Sequence, residues 1–267
     1  MKILKEKLKN SYISILDYFN EAFKLFWHLI RKEKKWILLI FAILLITAII
    51  EKKLQTITLL NSKINLEYIF ISHFLTYPLY ATYWVLYRKI IFKLTDRNEN
   101  LNILKSYIKA FITAIIISIP ILIITICSFY IDFLKYSHSY ELISLISQIS
   151  LSVIIFSVVV ACIFIYFLQV HMSKDLPLKE TLNYTLEVSQ SNRWRYIVCF
   201  LIESAAVFFI KTIIKTVTAF FMILLHLNIE SIGIIIIKTF IENFVPALSA
   251  IYSISLISII FVNVDYQ

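Results

Sequence analysis

The feature that most constrains this chain is a series of apolar runs, separated by short segments rich in Lys and Arg. An α-helix rises about 1.5 Å per residue, so about twenty apolar residues cross the roughly 30 Å of hydrocarbon in a bilayer. Six runs are expected spans, at about 36–50, 68–87, 110–130, 142–168, 196–215 and 244–262. Composition points the same way: 60% of the 267 residues are hydrophobic and only 16% charged, against about a quarter charged in soluble domains. A single soluble core of this size cannot hide that much apolar surface, so lipid is the expected solvent for the remainder. The expected fold class is an all-α polytopic membrane protein, its six spans arranged as three hairpins.

The placement of basic residues orients these spans. Nine Lys/Arg precede the first span, six lie between spans two and three, and four between spans four and five; the opposite side carries three, one and three. Nineteen against seven puts both termini in the cytoplasm by the positive-inside rule. The expected location is a cell membrane, bacterial in type. Residues 36–50 follow about thirty-five residues and lack a small-x-small cleavage site, so they read as a retained span and not as a signal peptide. The net charge of +9 is also a property of nucleic-acid-binding chains. Here the basic residues sit between apolar runs, where anionic lipid headgroups are the fitting partner and nucleic acid is not.

Three stretches have an amphipathic helical pattern. In residues 8–30, Leu8, Tyr12, Ile15, Phe19, Phe23, Phe26 and Ile30 recur every three or four positions, with Asp17, Glu21, Lys24, His28 and Arg31 on another face. Residues 1–35 are therefore expected to hold a cytoplasmic amphipathic helix, ahead of a transmembrane domain over 36–267. Residues 99–110 place Leu101, Leu104, Ile108 and Phe111 against Asn102, Lys105 and Lys109. Residues 178–190 place Leu178, Leu182, Thr185 and Leu186 against Lys179, Glu180, Asn183 and Glu187, with Asp175 and Pro177 as start signals. Each stretch leads into an odd-numbered span. Lys34, Lys35 and Trp36 mark one junction, and Arg193, Trp194 and Arg195 another. These six are the expected headgroup anchors. The segment 211–241, where Lys211 and Lys215 interrupt an apolar run, reads as an interfacial helix, a re-entrant piece or a further span.

This layout resembles a broad bacterial six-span family related to the membrane domain of glycerophosphoryl diester phosphodiesterases. The carrying stretch is Leu176 to Val198, which looks like the family's polar helix, short turn and basic entry into the fifth span; Asp17 to Trp36 looks like the same element at the first. The turn commonly holds a glycine in that family, and Gln190-Ser191-Asn192 stands there instead. The resemblance implies the six-span fold. The soluble barrel that hydrolyses phosphodiesters in two-domain relatives is not expected in a sequence that closes at Gln267, and no catalytic residue is carried over.

One glycine in the whole chain excludes phosphate-binding loops, dinucleotide fingerprints and the G-x-S-x-G elbow, which need several. No H-E-x-x-H occurs, and His28, His138, His171 and His226 show no ligand spacing, so neither a metal nor another cofactor is expected. Cys127, Cys162 and Cys199 fall inside apolar runs and read as small hydrophobes. Glu203 stands about eight residues past Trp194, some 12 Å into the bilayer at about 1.5 Å per residue. A carboxyl at that depth is either a proton, cation or headgroup site, or an acid hydrogen-bonded to a neighbouring helix. His73, Tyr77 and Tyr80, with Ser72, Thr76 and Tyr83, make span two polar around Pro78. They line a polar cavity or hydrogen-bond between helices. Ser144, Gln148 and Ser152 in span four, and Ser249 and Ser253 in span six, have the spacing of close helix packing. Lys238 and Glu242 read as a surface ion pair.

The expected function is non-enzymatic: an integral membrane protein organising anionic lipid or a membrane complex with a protein partner. The alternative is a transport component, a permease working with a separate ATPase through Glu203 and span two. An enzyme acting on lipid would have only Glu203, His73 and tyrosines to work with.

Overall fold

The computed structural model describes residues 2–61, 66–96, 102–136, 140–224 and 232–267, including most of their side chains. Among the described residues there are nine α-helices and no strand. They are α1 (Lys2–Asn10), α2 (Ile15–Lys32), α3 (Lys34–Asn61), α4 (Leu66–Leu94), α5 (Ile103–Tyr136), α6 (Tyr140–Ile163), α7 (Phe167–Ser173), α8 (Leu178–Leu224) and α9 (Ile232–Tyr266). Pro78, Pro120 and Pro246 sit inside α4, α5 and α9 without ending them, as prolines do where neighbouring helices support the backbone.

Successive long helices pack side by side, α3 on α4, α4 on α5, α5 on α6 and α8 on α9. Their turns alternate about one core. The start of α3, the second half of α4, the start of α5, Val170 and Met172 of α7, the part of α8 from Tyr184 to Cys199 and the second half of α9 join a single hydrophobic cluster with α1 and α2. This cap is the part of the molecule built like a soluble domain. Its axis is the last three turns of α9, where Leu256, Ile259, Ile260, Phe261 and Val262 are all buried. A helix end buried on every side demands neighbours all round, and α1, α2, α3, α4, α7 and α8 pack against α9.

Away from the cap the helices carry apolar side chains outward. Among the described residues, four segments are long and apolar enough to cross a membrane: Ile103–Ser128, Tyr140–Ile163, Asn192–Phe221 and Phe244–Tyr266. α6 has no buried residue at all, a surface too apolar to leave in water at about 25 cal/mol per Å². The expected first and second spans lie within α3 and α4.

Several local expectations are corrected. Residues 8–30 are not one helix: α1 ends at Asn10 and α2 begins at Ile15. Ser14 caps α2, its Oγ accepting from the Asp17 amide at 3.1 Å and donating to the Asp17 carboxylate at 2.9 Å. The buried face of α2 is Tyr18, Ala22, Leu25, Phe26 and Leu29, while Tyr12, Ile15 and Phe23 are exposed. Residues 178–190 are not a separate surface helix, and no turn occurs at Gln190–Asn192; α8 runs unbroken for 47 residues. Nothing from Leu178 to Leu224 is Gly or Pro, so no residue there stops a helix. Its buried face is Thr181, Thr185, Val188 and Ser189, and Leu178 and Leu186 point outward.

The described part of the stretch 99–110 likewise opens a continuous helix, since α5 begins at Ile103. Ser106 and Ala110 are buried there, and Leu104 and Ile108 exposed; Leu101 lies outside the described residues. Span four does not reach residue 168, since α6 stops at Ile163 and α7 starts at Phe167. In the segment 211–241, residues 211–224 continue α8, α9 begins at Ile232, and the connection lies outside the described residues. Ser144, Gln148 and Ser152 are exposed, with Ile143, Ile146, Ser150 and Val153 on the partly covered face of α6. Their spacing was that of a packing face, but helical rotation turns it away from α5. The side chains of Lys238 and Glu242 lie outside the described residues.

Candidate functional site

Residues 76, 77, 80 and 84 share one face of α4, and residues 110, 113, 114, 117, 118 and 121 one face of α5. These faces and the α7 side chains Leu168 and Met172 enclose a cavity of about 360 Å³, within the range of about 300–1,000 Å³ for ligand pockets. The Tyr77 phenol and the Ser118 hydroxyl are hydrogen-bonded at 2.8 Å, tying α4 to α5 along the wall. Phe74, Tyr77 and Phe111 pack edge to face beside them. Thr76, Tyr80 and Thr113 add hydroxyls to an otherwise apolar lining. The lining is thus mainly apolar, and its described residues include no carboxyl, thiol or imidazole.

One turn nearer the cap stands a charged cluster. Arg88 follows Trp84 by four residues, Lys109 precedes Ala110, and His171 lies between Leu168 and Met172. Arg88 is 6% exposed. Its Nη1 and Nη2 donate to the two Asp175 oxygens at 3.1 and 2.5 Å, a bidentate geometry that fixes both partners. Lys109 Nζ reaches Asp175 at 3.4 Å. The guanidinium beside it holds the Asp175 carboxyl below the usual carboxylate range. Burial, with Lys109 and Arg88 close by, pushes the His171 imidazole down to about 4, so it is neutral near pH 7. The ring stacks on Phe167 at 5.4 Å. Arg88 Nε and His171 Nδ1 are buried and have no hydrogen-bond partner among the described residues.

Of the residues expected to form an intramembrane polar site, Tyr77 and Tyr80 both line the cavity. The His73 side chain lies outside the described residues. Glu203 is elsewhere, in the seam between α8 and α9, where it is buried and accepts a hydrogen bond from Ser253 Oγ. Of the expected headgroup anchors, Lys34, Lys35 and Trp36 open α3, whereas Arg193, Trp194 and Arg195 lie inside the continuous α8. Lys34 and Lys35 are exposed at the start of α3, and Trp36 is half-buried under the Lys89 ammonium, 6.0 Å from its ring. Trp194 is 76% exposed, the most open large apolar side chain among the described residues. Arg193 Nε is buried and has no hydrogen-bond partner among the described residues. Arg195 turns back to the α1–α2 connection, donating to the Ile13 carbonyl at 3.2 Å and covering the Tyr12 ring at 4.2 Å.

Sequence reading missed the Arg88–Lys109–His171–Asp175 cluster. Arg88 entered it only as a loop charge, Lys109 as a polar-face residue of the 99–110 stretch, and Asp175 only as a helix start signal. Their separation of 66 to 87 residues offers no local pattern to detect. Among the described residues, no group of His, Cys, Asp or Glu is arranged to hold a metal ion.

No family model, curated protein or solved structure matches the chain. Fold and site together define a protein that is helical throughout its described residues, with helices long and apolar enough to cross a membrane and a charged, well-packed cap.

Proposed function

We propose that this chain is a six-span integral membrane protein of the bacterial cell membrane, with both termini cytoplasmic, that organises anionic lipid around its cap without catalysing a reaction. The paired long helices returning to one cap support six spans, with α3 and α4 as the first hairpin. That layout is also what the resemblance to the phosphodiesterase membrane domains implies.

One observation carries the lipid reading: the cap combines an apolar outer stripe with excess positive charge. Leu16, Phe23 and Trp27 stand out from α2, on a face separate from the buried one, and Trp194 stands out from α8. Bulky aromatics exposed beside basic residues belong at headgroup level. Meanwhile Asp17, Glu21, Glu33, Asp96, Asp175 and Asp265 are each engaged by lysine or arginine within the protein. Internal pairing consumes acidic charge, so exposed Lys34 and Lys35 face the leaflet without carboxylates among their described partners. Each such cation near an anionic surface contributes about 1 kcal/mol.

The test is lipid retention. The chain is purified from vesicles of mixed phosphatidylglycerol and phosphatidylcholine, and the lipid that stays bound is weighed by mass spectrometry. The protein should enrich phosphatidylglycerol, and the triple variant Lys34→Gln, Lys35→Gln, Arg193→Gln should lose that enrichment several-fold. Equal retention of the two lipids by the unaltered protein would end this reading.

A further inference from the structure

We infer that the α4–α5–α7 cavity binds one acyl chain of an anionic phospholipid from the surrounding bilayer, with the phosphate held at the cap end by Lys109 beside the Arg88–Asp175 pair. This inference rests on the lipid-organising reading and gives it a place.

Dimensions are the first support. From Ala110 to Ile121 the cavity follows α5 for eleven residues, about 16 Å at about 1.5 Å per residue. One leaflet of hydrocarbon is about 15 Å deep, half of the bilayer's roughly 30 Å. A single chain inserted from the cap side would therefore run the length of the cavity. The walls suit methylenes, and the hydroxyls of Thr113, Tyr77 and Ser118 already have partners in Lys109 O or each other, so an apolar guest leaves those three satisfied.

Charge is the second support. Arg88 and Lys109 bring two positive charges to one carboxylate, and Lys105 stands one turn from Lys109 on the same helix. The balance at the cap end is positive, which suits a phosphate with no compensating cation in its headgroup. The contact from Lys109 to Asp175 is long at 3.4 Å, and an ammonium has three donors, so Lys109 can serve a second anion. The third support is the pair of buried nitrogens, Arg88 Nε and His171 Nδ1, without partners among the described residues. A buried Nε–H is costly unless something accepts from it, and a phosphate oxygen or its water would.

The full chain in phosphatidylcholine vesicles, with a small fraction of phosphatidylglycerol bearing a diazirine on one acyl chain, tests this by photolabelling and peptide mapping. Adducts should concentrate on Tyr77, Tyr80, Thr113 and Ile117. Unlabelled phosphatidylglycerol should compete them away, and phosphatidylcholine should not. Ala114→Phe, which fills the cavity, should lower these adducts at unchanged melting temperature. Lys109→Gln should lower the headgroup preference roughly five-fold, the factor carried by one cation at an anionic surface. Labels spread evenly over the outer faces of α5 and α6, or competed equally by both lipids, would overturn the cavity site. That outcome leaves the retention assay above free to succeed, so failure of the cavity and failure of the wider reading are told apart.

Discussion

The Asn263 side chain accepts a 2.7 Å hydrogen bond from the Tyr18 hydroxyl, joining the two ends of the chain across 245 residues. Both residues are fully buried. The same amide oxygen accepts from the Ile13 backbone at 3.3 Å, and Nδ2 donates to the Leu8 and Ser11 carbonyls at 2.8 and 2.9 Å. One side chain thereby satisfies the backbone where α1 breaks from α2. A buried amide with this many partners is costly to interrupt, because each group left behind is unsatisfied.

Asn263→Leu should therefore destabilise the cap by about 2–4 kcal/mol, the order expected when several buried polar groups lose a partner. Thermal unfolding in detergent measures this. Limited proteolysis should also open first between Ser11 and Ser14, since those residues are held from α9. Tyr18→Phe, which removes one donor and leaves the carbonyl bonds intact, should cost about 1 kcal/mol. Equal losses for the two variants would mean the amide does not organise the connection.

Acid should loosen the cap in two steps. His171 has its imidazole lowered from 6.5 to about 4 by burial and by Lys109 and Arg88. Between those values the unfolded chain binds more protons than the folded one, so stability falls as pH drops from about 6.5 toward 4. Glu33 contributes lower down. Burial alone would raise its carboxyl, but Lys89, at 2.6 Å, and Lys93 hold it below its ordinary 4.5. Its contribution is present above 4.5 and is lost as pH falls through the depressed value. Melting temperature against pH should show both limbs, and His171→Gln should flatten the upper one while leaving the lower. A profile unchanged by His171→Gln would show that the ring titrates normally.

Glu203 lies in a segment long and apolar enough to cross a membrane, and it offers a direct comparison of the structural and transport roles of a carboxyl. Its contact is a hydroxyl donor, Ser253, and an amide oxygen accepts such a bond equally well. Glu203→Gln should therefore keep stability within about 0.5 kcal/mol, and Glu203→Ala should lose about 1–2 kcal/mol through the orphaned seam. Solute or proton flux into vesicles that vanishes in Glu203→Gln, with the melting temperature unchanged, would instead favour the transport alternative.

The helical class and the existence of apolar spans were legible from run length and composition, since both depend on single residues and their neighbours. Which face of each helix is buried was not. In α2 and α8 the sequence offers two competing stripes, and the reading chose the more apolar one. For α8 the choice followed Leu178 and Leu186, but the cap takes Thr181, Thr185 and Ser189, small residues that let α8 approach its neighbours closely. In lipid the apolar stripe has a second solvent available, so greater hydrophobicity no longer means greater burial. Tyr77 and Tyr80 were picked out as polar oddities in an apolar run, and they do share the cavity. The cluster that ends the cavity depends on tertiary neighbours three elements apart, which no local pattern encodes.

The continuity of α8 is the sharpest departure from the sequence reading, and it can be measured as a distance. If the helix is unbroken, spin labels at Glu180 and Leu201 lie about 31 Å apart, twenty-one residues at about 1.5 Å each. A turn at Gln190–Asn192, with the first part lying in the interface, would bring them markedly closer. Pulsed dipolar spectroscopy in vesicles separates the two. Ser191→Pro supplies the matching perturbation: proline removes a backbone donor and clashes with the preceding turn, costing about 3 kcal/mol in a helix interior. It should shorten or broaden the 180–201 distance and lower the melting temperature together, because the Thr181–Thr185–Ser189 face would lose its register against the cap. A tolerated proline with an unchanged melting temperature would restore the turn that the sequence reading places at Gln190–Asn192.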